Sequence, residues 1–251
     1  MRNKIILTFA LMTLFATAVS SQSAVVYGGL AVPTGNFGGT NLYRHPLSSD
    51  YGDQGGATYG FNIGARYMRQ FPDSKVNWFL SADFFYNALD SDLKDAIGTW
   101  AHYQLEQSIR KARQDYTIKV DYFEVDYPQY FNIPFMAGIN CPIFDLGQNC
   151  SFWIEFGLGM NFRILSDMKL TFECKDEQYE SNSSFDESFS LAYQIGAGLK
   201  IKDHFLVGAG LYNLGADKIT GKSISENNWV ESQTTENLIT TMLSIRLGYI
   251  F

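Results

Sequence analysis

Histidine is the side chain best suited to act as a general base near neutral pH, and the chain contains three of them. His45 and His102 lie in different long connections between predicted strands, and His204 lies in a short turn. Nucleophilic catalysis requires a nucleophile and its base within hydrogen-bond reach. None of the three histidines falls within a predicted strand, so the sequence predicts no catalytic residues and no enzymatic activity.

Motifs for metal or cofactor binding are equally weak. Residues 50–53 read Asp-Tyr-Gly-Asp, which has the residue types of a calcium loop but lacks the EF-hand spacing, so a turn is expected there. No glycine-rich loop of the phosphate-binding kind precedes a helix. The sequence therefore predicts no metal site and no cofactor.

The N-terminal segment has the three parts of a secretory leader. Residues 1–4 are basic, residues 5–19 form an uncharged apolar run, and Ala16-Thr17-Ala18 matches the A-x-A pattern. A membrane anchor would need about 20 apolar residues and a basic flank after them, and the run has neither. We expect a signal peptide over residues 1–23, cleaved between about 18 and 23, and one domain over residues 24–251.

Composition excludes two other classes of protein. The 251 residues are 46% hydrophobic and 16% aromatic, which excludes intrinsic disorder. The net charge is −7, and loss of Arg2 and Lys4 with the leader leaves 17 basic against 26 acidic residues, or −9. This charge argues against binding nucleic acid through a basic surface.

Apolar and polar residues alternate with a period of two along much of the chain. The clearest case is 152–164, where even positions are apolar and the odd positions from 155 to 163 carry Gly, Asn and charged residues. Similar segments are 58–69, 78–87, 188–201 and 239–251, with weaker ones at 24–33, 130–140 and 205–213. After residue 24 no apolar stretch is long enough for a membrane helix. Soluble β-sandwiches also alternate, so the period alone does not decide the fold.

The connections between these eight segments decide it. They run over 33–57, 70–77, 88–129, 141–151, 165–187, 202–204 and 214–237, so that long and short connections take turns. Transmembrane barrels have this pattern, with long extracellular loops and short periplasmic turns. The sequence predicts an all-β fold, an eight-stranded antiparallel up-and-down transmembrane β-barrel with long extracellular loops.

One long loop has a helical pattern of its own. Its apolar residues recur every three or four positions from Leu89 to Ala112, with aspartates at the start and basic residues at the end. A helix is predicted, with Gly98 as a possible break. It could pack on the rim of the barrel, form a binding surface, or contact lipid.

Three stretches carry a resemblance to a known family. They are the opening Tyr27-Gly28-Gly29-Leu30, the segment Tyr130-Phe131-Asn132-Ile133-Pro134-Phe135, and the alternating C-terminus that ends in Phe251. The chain resembles the small eight-stranded outer-membrane β-barrel proteins of Gram-negative bacteria, of the Bacteroidota type, within the porin-like superfamily. The resemblance implies an outer-membrane location and insertion by the barrel-assembly machinery. It also implies an assembly signal in the last strand, formed by Leu243, Ile245, Leu247, Tyr249 and Phe251.

The polar face of the alternating segments places charged residues inside such a barrel. They are Arg66, Asp83, Glu155, Arg163, Lys200 and Arg246. An eight-stranded barrel is just wide enough for side chains to fill it, and both signs of charge are present. We expect ion pairs that plug the lumen. A conducting pathway or a proton relay is the alternative.

Two cysteines flank one short turn. Cys141 and Cys150 lie at the ends of the predicted fourth and fifth strands, and the periplasm is oxidising, so a disulfide between them is expected. Cys174 would remain unpaired in an outer loop. Three free thiols are the alternative.

The function predicted from the sequence is that of a non-enzymatic integral protein of the bacterial outer membrane. Its role would be envelope structure or surface binding through the extracellular loops. The alternatives are a small pore or solute channel and a lipid-modifying outer-membrane enzyme. The expected partners are outer-membrane lipid, the barrel-assembly machinery and an unknown extracellular ligand or surface partner, but not nucleic acid.

Overall fold

The computed structural model describes residues 22–45, 53–114, 119–147, 149–174, 177–202, 204–225 and 230–251. The predicted signal peptide lies outside them, except for its last two positions, which begin the first strand. The described residues form one α-helix, α1 (Ser91–Arg113), and eleven strands. The strands are β1 (Gln22–Thr34), β2 (Ala57–Gln70), β3 (Asn77–Leu89), β4 (Tyr122–Asp126), β5 (Tyr130–Asp145), β6 (Cys150–Leu165), β7 (Met168–Cys174), β8 (Glu177–Phe185), β9 (Ser188–Ile201), β10 (Phe205–Ser225) and β11 (Val230–Ile250).

Eight of these strands close into an antiparallel barrel. Their order around the barrel is β1, β2, β3, β5, β6, β9, β10 and β11, and β11 returns to pair with β1 through Val25 and Ile250. The order follows the chain, as in an up-and-down barrel. Closure gives every backbone group in the hydrocarbon layer a partner. The predicted eight-stranded barrel is confirmed.

The two ends of the barrel differ. Short connections join β2 to β3, β5 to β6 and β9 to β10 at one end, which is also where β1 begins and β11 ends. Much longer connections leave the other end. Because outer-membrane barrels have short periplasmic turns and long extracellular loops, the short turns mark the periplasmic end.

The outer face of the barrel is apolar and carries an aromatic girdle near each end. Phe61, Tyr86 and Phe131 are in ring contact on the extracellular side, and Tyr67 contacts Trp78 on the periplasmic side. Between the girdles lie exposed aliphatic residues that include Leu158, Met160, Ile195 and Leu247. Aromatic rings collect at membrane interfaces because they present an apolar body and a polar edge. The face assigned to lipid by the alternation therefore matches a membrane-spanning band.

The extracellular side carries a second, smaller sheet. Strands β10 and β11 continue past the barrel, and β8, β7 and β4 pair onto β10 in that order. Strand β10 bends where it leaves the barrel, at a bulge in which Gly215 has a φ of 92°. Only glycine adopts this conformation readily. The sequence predicts that β10 ends at residue 213 and does not predict this sheet.

Helix α1 lies in the connection between β3 and β4, as predicted. The Asp90 carboxylate accepts hydrogen bonds from the backbone N–H groups of Asp92 and Leu93 and caps the first turn. The helix is continuous from Ser91 to Arg113, so the possible break at Gly98 does not occur. A Cβ at Gly98 would lie 2.7 Å from the Tyr127 hydroxyl, so the glycine permits a close approach. No helix in the described residues is long and apolar enough to cross a membrane.

Candidate functional site

A buried ion network occupies the middle of the barrel lumen. Glu155 of β6 accepts hydrogen bonds from two arginines, Arg66 of β2 and Arg246 of β11. The second bond from Arg66, between Nη2 and Oε1, measures 3.2 Å. All three side chains are at least 96% buried. A single carboxylate thus connects three strands that lie around the barrel wall.

Other side chains complete the contacts of the two arginines. The Arg246 guanidinium donates to the Tyr212 hydroxyl at 3.0 Å, and the Arg66 guanidinium lies 4.0 Å from the ring centre of Phe79. Gln194 donates its amide to Glu155 at 3.3 Å. Asp83 interacts electrostatically with both arginines. Glu155 therefore pairs directly with both guanidinium groups, as a buried charge requires, whereas Asp83 interacts with them only at longer range.

Glycines in the wall make room for these long side chains. Gly196 pairs with Glu155 on one side and Gly210 on the other. A Cβ at Gly196 would lie 3.0 Å from Oε1 of Glu155 and 3.1 Å from the guanidinium of Arg246. The lumen is filled because large residues face small ones across neighbouring strands.

The structure places the six predicted lumen residues inside the barrel at three heights. Arg66, Asp83, Glu155 and Arg246 lie together in the network described above. Arg163 is buried nearer the extracellular end, where it donates to Thr240 at 3.2 Å. Lys200 is half-buried at the periplasmic end and belongs to neither group.

Apolar side chains close the lumen on the extracellular side of the network. Phe85 of β3 and Tyr212 of β10 meet edge to face across the lumen, with ring centres 5.0 Å apart. Leu214, Leu238 and Met242 belong to the same buried cluster.

The connection between β1 and β2 folds over the extracellular mouth. The carbonyl of Gly55 accepts hydrogen bonds from the Tyr130 hydroxyl at 2.6 Å and from Nε2 of His45 at 3.1 Å. Phe37 packs edge to face on Tyr130, and Leu93 of α1 joins the same buried cluster. We call these five residues the mouth cap. The apolar stripe of α1 therefore packs on the mouth of the barrel through its first turns.

His45 is 1% exposed within the mouth cap. Burial lowers the pKa of its imidazole to about 4, because the charged form loses its hydration. Its neighbour Arg44 forms an ion pair with Asp53 at the surface, and the hydrogen bond from Arg44 lowers the pKa of Asp53. His45 is thus neutral at physiological pH and serves as a hydrogen-bond donor to the loop backbone.

The extracellular sheet of β4, β7 and β8 has two different faces. Phe123, Val125, Leu170 and Phe172 share one face, and Phe123 contacts the ring of His102 on α1 at 5.2 Å. The opposite face is exposed and polar. It carries Tyr122, Glu124, Asp126, Lys169, Thr171, Glu173, Glu180, Asn182 and Ser184.

The histidines do not gather into a site. His45 lies in the mouth cap, His102 on α1, and His204 in a periplasmic turn where its ring stacks on Tyr249. Among the described residues no group of three or more His, Cys, Asp or Glu side chains could hold a metal ion. The predicted turn at residues 50–53 lies outside the described residues, except for Asp53.

The predicted disulfide between Cys141 and Cys150 is wrong, since all three cysteines are free. In the pairing of β5 with β6, Cys141 lies opposite Ile154, four positions along β6 from Cys150. At about 3.3 Å per residue, this offset exceeds the separation that a disulfide can bridge. The two cysteines flank the same turn in the sequence, but they do not lie opposite each other in the paired strands.

The C-terminal strand has both neighbours that closure requires. On one side β11 pairs with β10, where Val207 lies opposite Leu247. On the other side it pairs with β1, where Ala31 lies opposite Ser244. The predicted signal residues Ile245, Leu247, Tyr249 and Phe251 are exposed on the outer face, and Leu243 shares that face. Their role as a signal for assembly remains a prediction.

Comparison with protein families decides what kind of barrel this is. The family model described as "outer membrane protein beta-barrel domain" matches residues 7–251. The chain belongs to this family. No curated protein matches the sequence significantly.

Several solved structures are similar to this outer membrane protein beta-barrel domain. A major outer membrane protein from Thermus thermophilus has a TM-score of 0.46 at 11% identity, over 93% of this chain and all of that one. Neisserial surface protein A has a TM-score of 0.38 at 10% identity, over 93% and 99% of the two chains. Ail, the attachment invasion locus protein of Yersinia pestis, was solved with the heparin analogue sucrose octasulfate. Its TM-score is 0.36 at 13% identity, over 92% and 100% of the two chains.

Membership in the outer membrane protein beta-barrel domain family fixes the location of the protein. It is an integral protein of the bacterial outer membrane, in contact with outer-membrane lipid through its apolar outer face. The family gives a fold and a compartment but no ligand. The Bacteroidota-type likeness remains a prediction.

Proposed function

We propose that this protein is a non-conducting outer-membrane barrel that binds a partner at the cell surface through its extracellular sheet. The observation that carries the proposal is the contrast between the two parts of the molecule. The lumen is filled by the ion network and closed by the mouth cap, whereas β10 and β11 continue outward to support β8, β7 and β4. The barrel then serves as an anchor, and the sheet serves as the contact surface.

The lumen argues against the alternative of a solute channel. Arg66, Glu155 and Arg246 are held by direct ion pairs, and Phe85 and Tyr212 meet above them. The hydrogen bond from Tyr130 to Gly55 then holds the mouth cap in place. Three successive layers would have to rearrange before a solute could pass.

The extracellular sheet has the properties of a contact surface. Glu124, Asp126 and Glu180 are exposed on its polar face, and Lys169, which pairs with Glu180 at 2.9 Å, is a basic residue among them. In the described structure β4 pairs only with β7, so its outer edge offers backbone donors and acceptors. The acidic face favours a protein partner with a basic surface. The open edge of β4 favours an extended segment of that partner, which could pair with the strand.

Site-specific photo-crosslinking on intact cells tests the proposal. A photoreactive residue at Asn182 or Ser184, both exposed on the polar face, should give an adduct of defined mass. The same probe at Tyr59, which is exposed on the lipid face, serves as the control and should not give that adduct. Glu124→Lys combined with Asp126→Lys should abolish the adduct without affecting insertion.

Two results would contradict the proposal. The first is the absence of an adduct at both sheet positions on cells that display the protein. The second is stable single-channel conductance of the purified barrel in a planar bilayer, which would favour the solute channel instead.

A further inference from the structure

A hollow lies on the outer face of the barrel at its periplasmic end, beside the turn between β2 and β3. Its volume is about 660 Å³, which is within the range of sites for small ligands. Its lining includes Arg69, Phe71, Pro72, Asp73, Lys75 and Trp78. The hollow and the extracellular sheet lie at opposite ends of the barrel, so the function proposed above does not involve it.

The aromatic girdle fixes the depth of the hollow. Trp78 contacts Tyr67 in the periplasmic girdle, with ring centres 5.4 Å apart. Arg69 lies directly opposite Trp78 in the pairing of β2 with β3, and it shares the outward phase of Tyr67. It is two positions, or about 7 Å along the strand, nearer the periplasm than Tyr67. Because aromatic girdles mark the edges of the hydrocarbon layer, this position places Arg69 at the level of the lipid phosphates.

The turn between β2 and β3 places Lys75 beside the same hollow. The Phe71 N–H donates to the carbonyl of Val76 at 3.0 Å, and the Ser74 N–H donates to the carbonyl of Phe71 at 3.3 Å. The Val76 N–H donates to the Ser74 hydroxyl at 3.0 Å. These hydrogen bonds fix the backbone on both sides of Lys75, so Arg69 and Lys75 line one preformed surface.

The hollow combines positive charge with apolar surface. Arg69, Lys75 and Asp73 are all exposed, and they carry two positive charges against one negative. Phe71 is exposed and Trp78 is half-buried in the same lining. A planar guanidinium binds two phosphate oxygens at once, and an ammonium adds a point charge. Such a surface is complementary to a phosphate group that is attached to an apolar body.

We propose that the hollow binds the headgroup of an anionic phospholipid in the periplasmic leaflet. The phosphate would lie between Arg69 and Lys75, and the glycerol and upper acyl carbons would lie against Trp78. Charge determines the class of lipid. A headgroup with one negative charge neutralises the net charge of the lining, whereas a zwitterionic headgroup brings a further ammonium group to a surface that is already positive.

Fluorescence quenching at Trp78 measures which lipid occupies the hollow in a bilayer. A variant with Trp100→Phe, Trp153→Phe and Trp229→Phe retains Trp78 as its fluorophore. It is purified from outer membranes and placed in nanodiscs of phosphatidylcholine mixed with phosphatidylglycerol. Either lipid is brominated near the carbonyl end of its acyl chains, and bromine quenches tryptophan at short range. The two sets of mixtures give the association constant of phosphatidylglycerol relative to phosphatidylcholine, which should be about ten because two basic residues act on the anionic headgroup.

Matched double variants in this background test the two basic residues. Arg69→Gln with Lys75→Gln should lower the relative constant toward one. Lys111→Gln with Lys119→Gln makes the same change of net charge at exposed extracellular positions and should leave the relative constant unchanged. Asp73→Asn should not lower it, because loss of the carboxylate makes the hollow more positive. Native mass spectrometry of lipid adducts repeats the comparison with all four tryptophans in place.

Four outcomes would overturn the proposal. The first is a relative constant near one before Arg69 and Lys75 are changed. The second is an equal constant in their double variant and in the extracellular control. The third is binding of phosphatidylethanolamine as strong as that of phosphatidylglycerol. The fourth is loss of quenching on addition of glycerophosphoglycerol, which lacks acyl chains and would assign the hollow to a soluble phosphodiester.

The heat-dependent gel mobility of each variant shows that its barrel is folded. None of these results bears on the crosslinking at Asn182 and Ser184.

Discussion

Arg66 and Glu155 lie 89 residues apart in the sequence and form an ion pair across the lumen. Their strands, β2 and β6, are separated in the barrel wall by β3 and β5. The same carboxylate also pairs with Arg246 on β11, the strand that closes the barrel. One side chain therefore joins strands from the first, middle and last parts of the chain.

This position of Glu155 predicts a large effect of its neutralisation. Glu155→Gln leaves two buried guanidinium groups facing one another with Asp83 as the remaining nearby carboxylate. Breaking a buried ion pair by changing one partner costs about 3–5 kcal/mol, so the free energy of unfolding should fall by that order. Urea unfolding in detergent micelles, followed by gel mobility, measures the difference.

The control is Glu124→Gln, which makes the same chemical change on the exposed face of the extracellular sheet. Its effect should stay within about 0.5 kcal/mol. Equal stability losses in the two variants would mean that the lumen network does not stabilise the barrel.

Alternation in the sequence predicted which charged residues face inward, because the side-chain period of a strand is two. It could not predict which of them meet. Glu155 reaches Arg66 and Arg246, whereas Arg163 and Lys200 share the inward phase but lie at other heights. Height depends on the stagger between neighbouring strands, and no local pattern in the sequence encodes that stagger.

Dependence on distant contacts also explains why the sequence did not predict the pairing of β7 or the burial of His45. The apolar residues Leu170, Phe172 and Cys174 keep the even phase of β6, a pattern that also fits a longer β6. In the structure the chain turns at residues 166–167 and β7 pairs with β4 and β8 instead. Likewise, nothing near His45 in the sequence indicated that it would be buried against Gly55. Both features depend on contacts between distant parts of the chain.

The register of β5 and β6 makes a prediction about the cysteines. Cys141 lies directly opposite Ile154, and opposed residues of antiparallel strands have Cα atoms about 4.5–5.5 Å apart. Oxidation of the Ile154→Cys variant should therefore link Cys141 to the new cysteine. Peptide mapping without reduction identifies the linkage. A linkage of Cys141 to Cys150 in the native protein would show that the register is shifted by several residues.

Burial of His45 predicts a pH-dependent mouth cap. The imidazole has an ordinary pKa of 6.5 when the loop is open and a pKa of about 4 when it is closed. The open loop therefore binds the proton more readily, and closure is fully favoured above pH 6.5. As the pH falls toward 4, closure should lose up to ~3 kcal/mol. Asp53 stays ionised across this window because Arg44 keeps its pKa below the usual range.

Hydrogen exchange of the loop measures this opening. The Gly55 amide donates to Asn36 and the Gly56 amide donates to Gly39, so both are protected while the cap is closed. Their protection, corrected for the intrinsic exchange rate, should fall between pH 7 and pH 4.5. The variant His45→Gln keeps a side-chain N–H but does not titrate, so its protection should not depend on pH. Equal pH dependence in both proteins would assign the effect to another group.

The end of β11 is held by both of its neighbours. The Phe251 N–H donates to the carbonyl of Ala24 at 2.9 Å, and the Ile250 N–H donates to the carbonyl of His204 at 2.7 Å. The Phe251 ring also packs on Tyr249 in the periplasmic girdle, with ring centres 4.9 Å apart. Two roles are therefore possible for these residues, as part of the closed wall and as the proposed signal to the assembly machinery.

Deletion of Ile250 and Phe251 separates these roles when it is measured in two ways. Loss of the wall contacts alone should lower the yield of refolding into detergent micelles and the yield of insertion in cells by the same factor. A signal read by the assembly machinery should lower insertion in cells much more, with unassembled protein in the periplasm. We expect the second result, because most of the pairing of β11 with β1 and β10 remains after the deletion, which removes the last two backbone hydrogen bonds and the side-chain contacts of Ile250 and Phe251. The substitution Ser184→Ala, on the exposed face of the extracellular sheet, is the control and should leave both yields unchanged. Normal insertion in cells after the C-terminal deletion would exclude the signal.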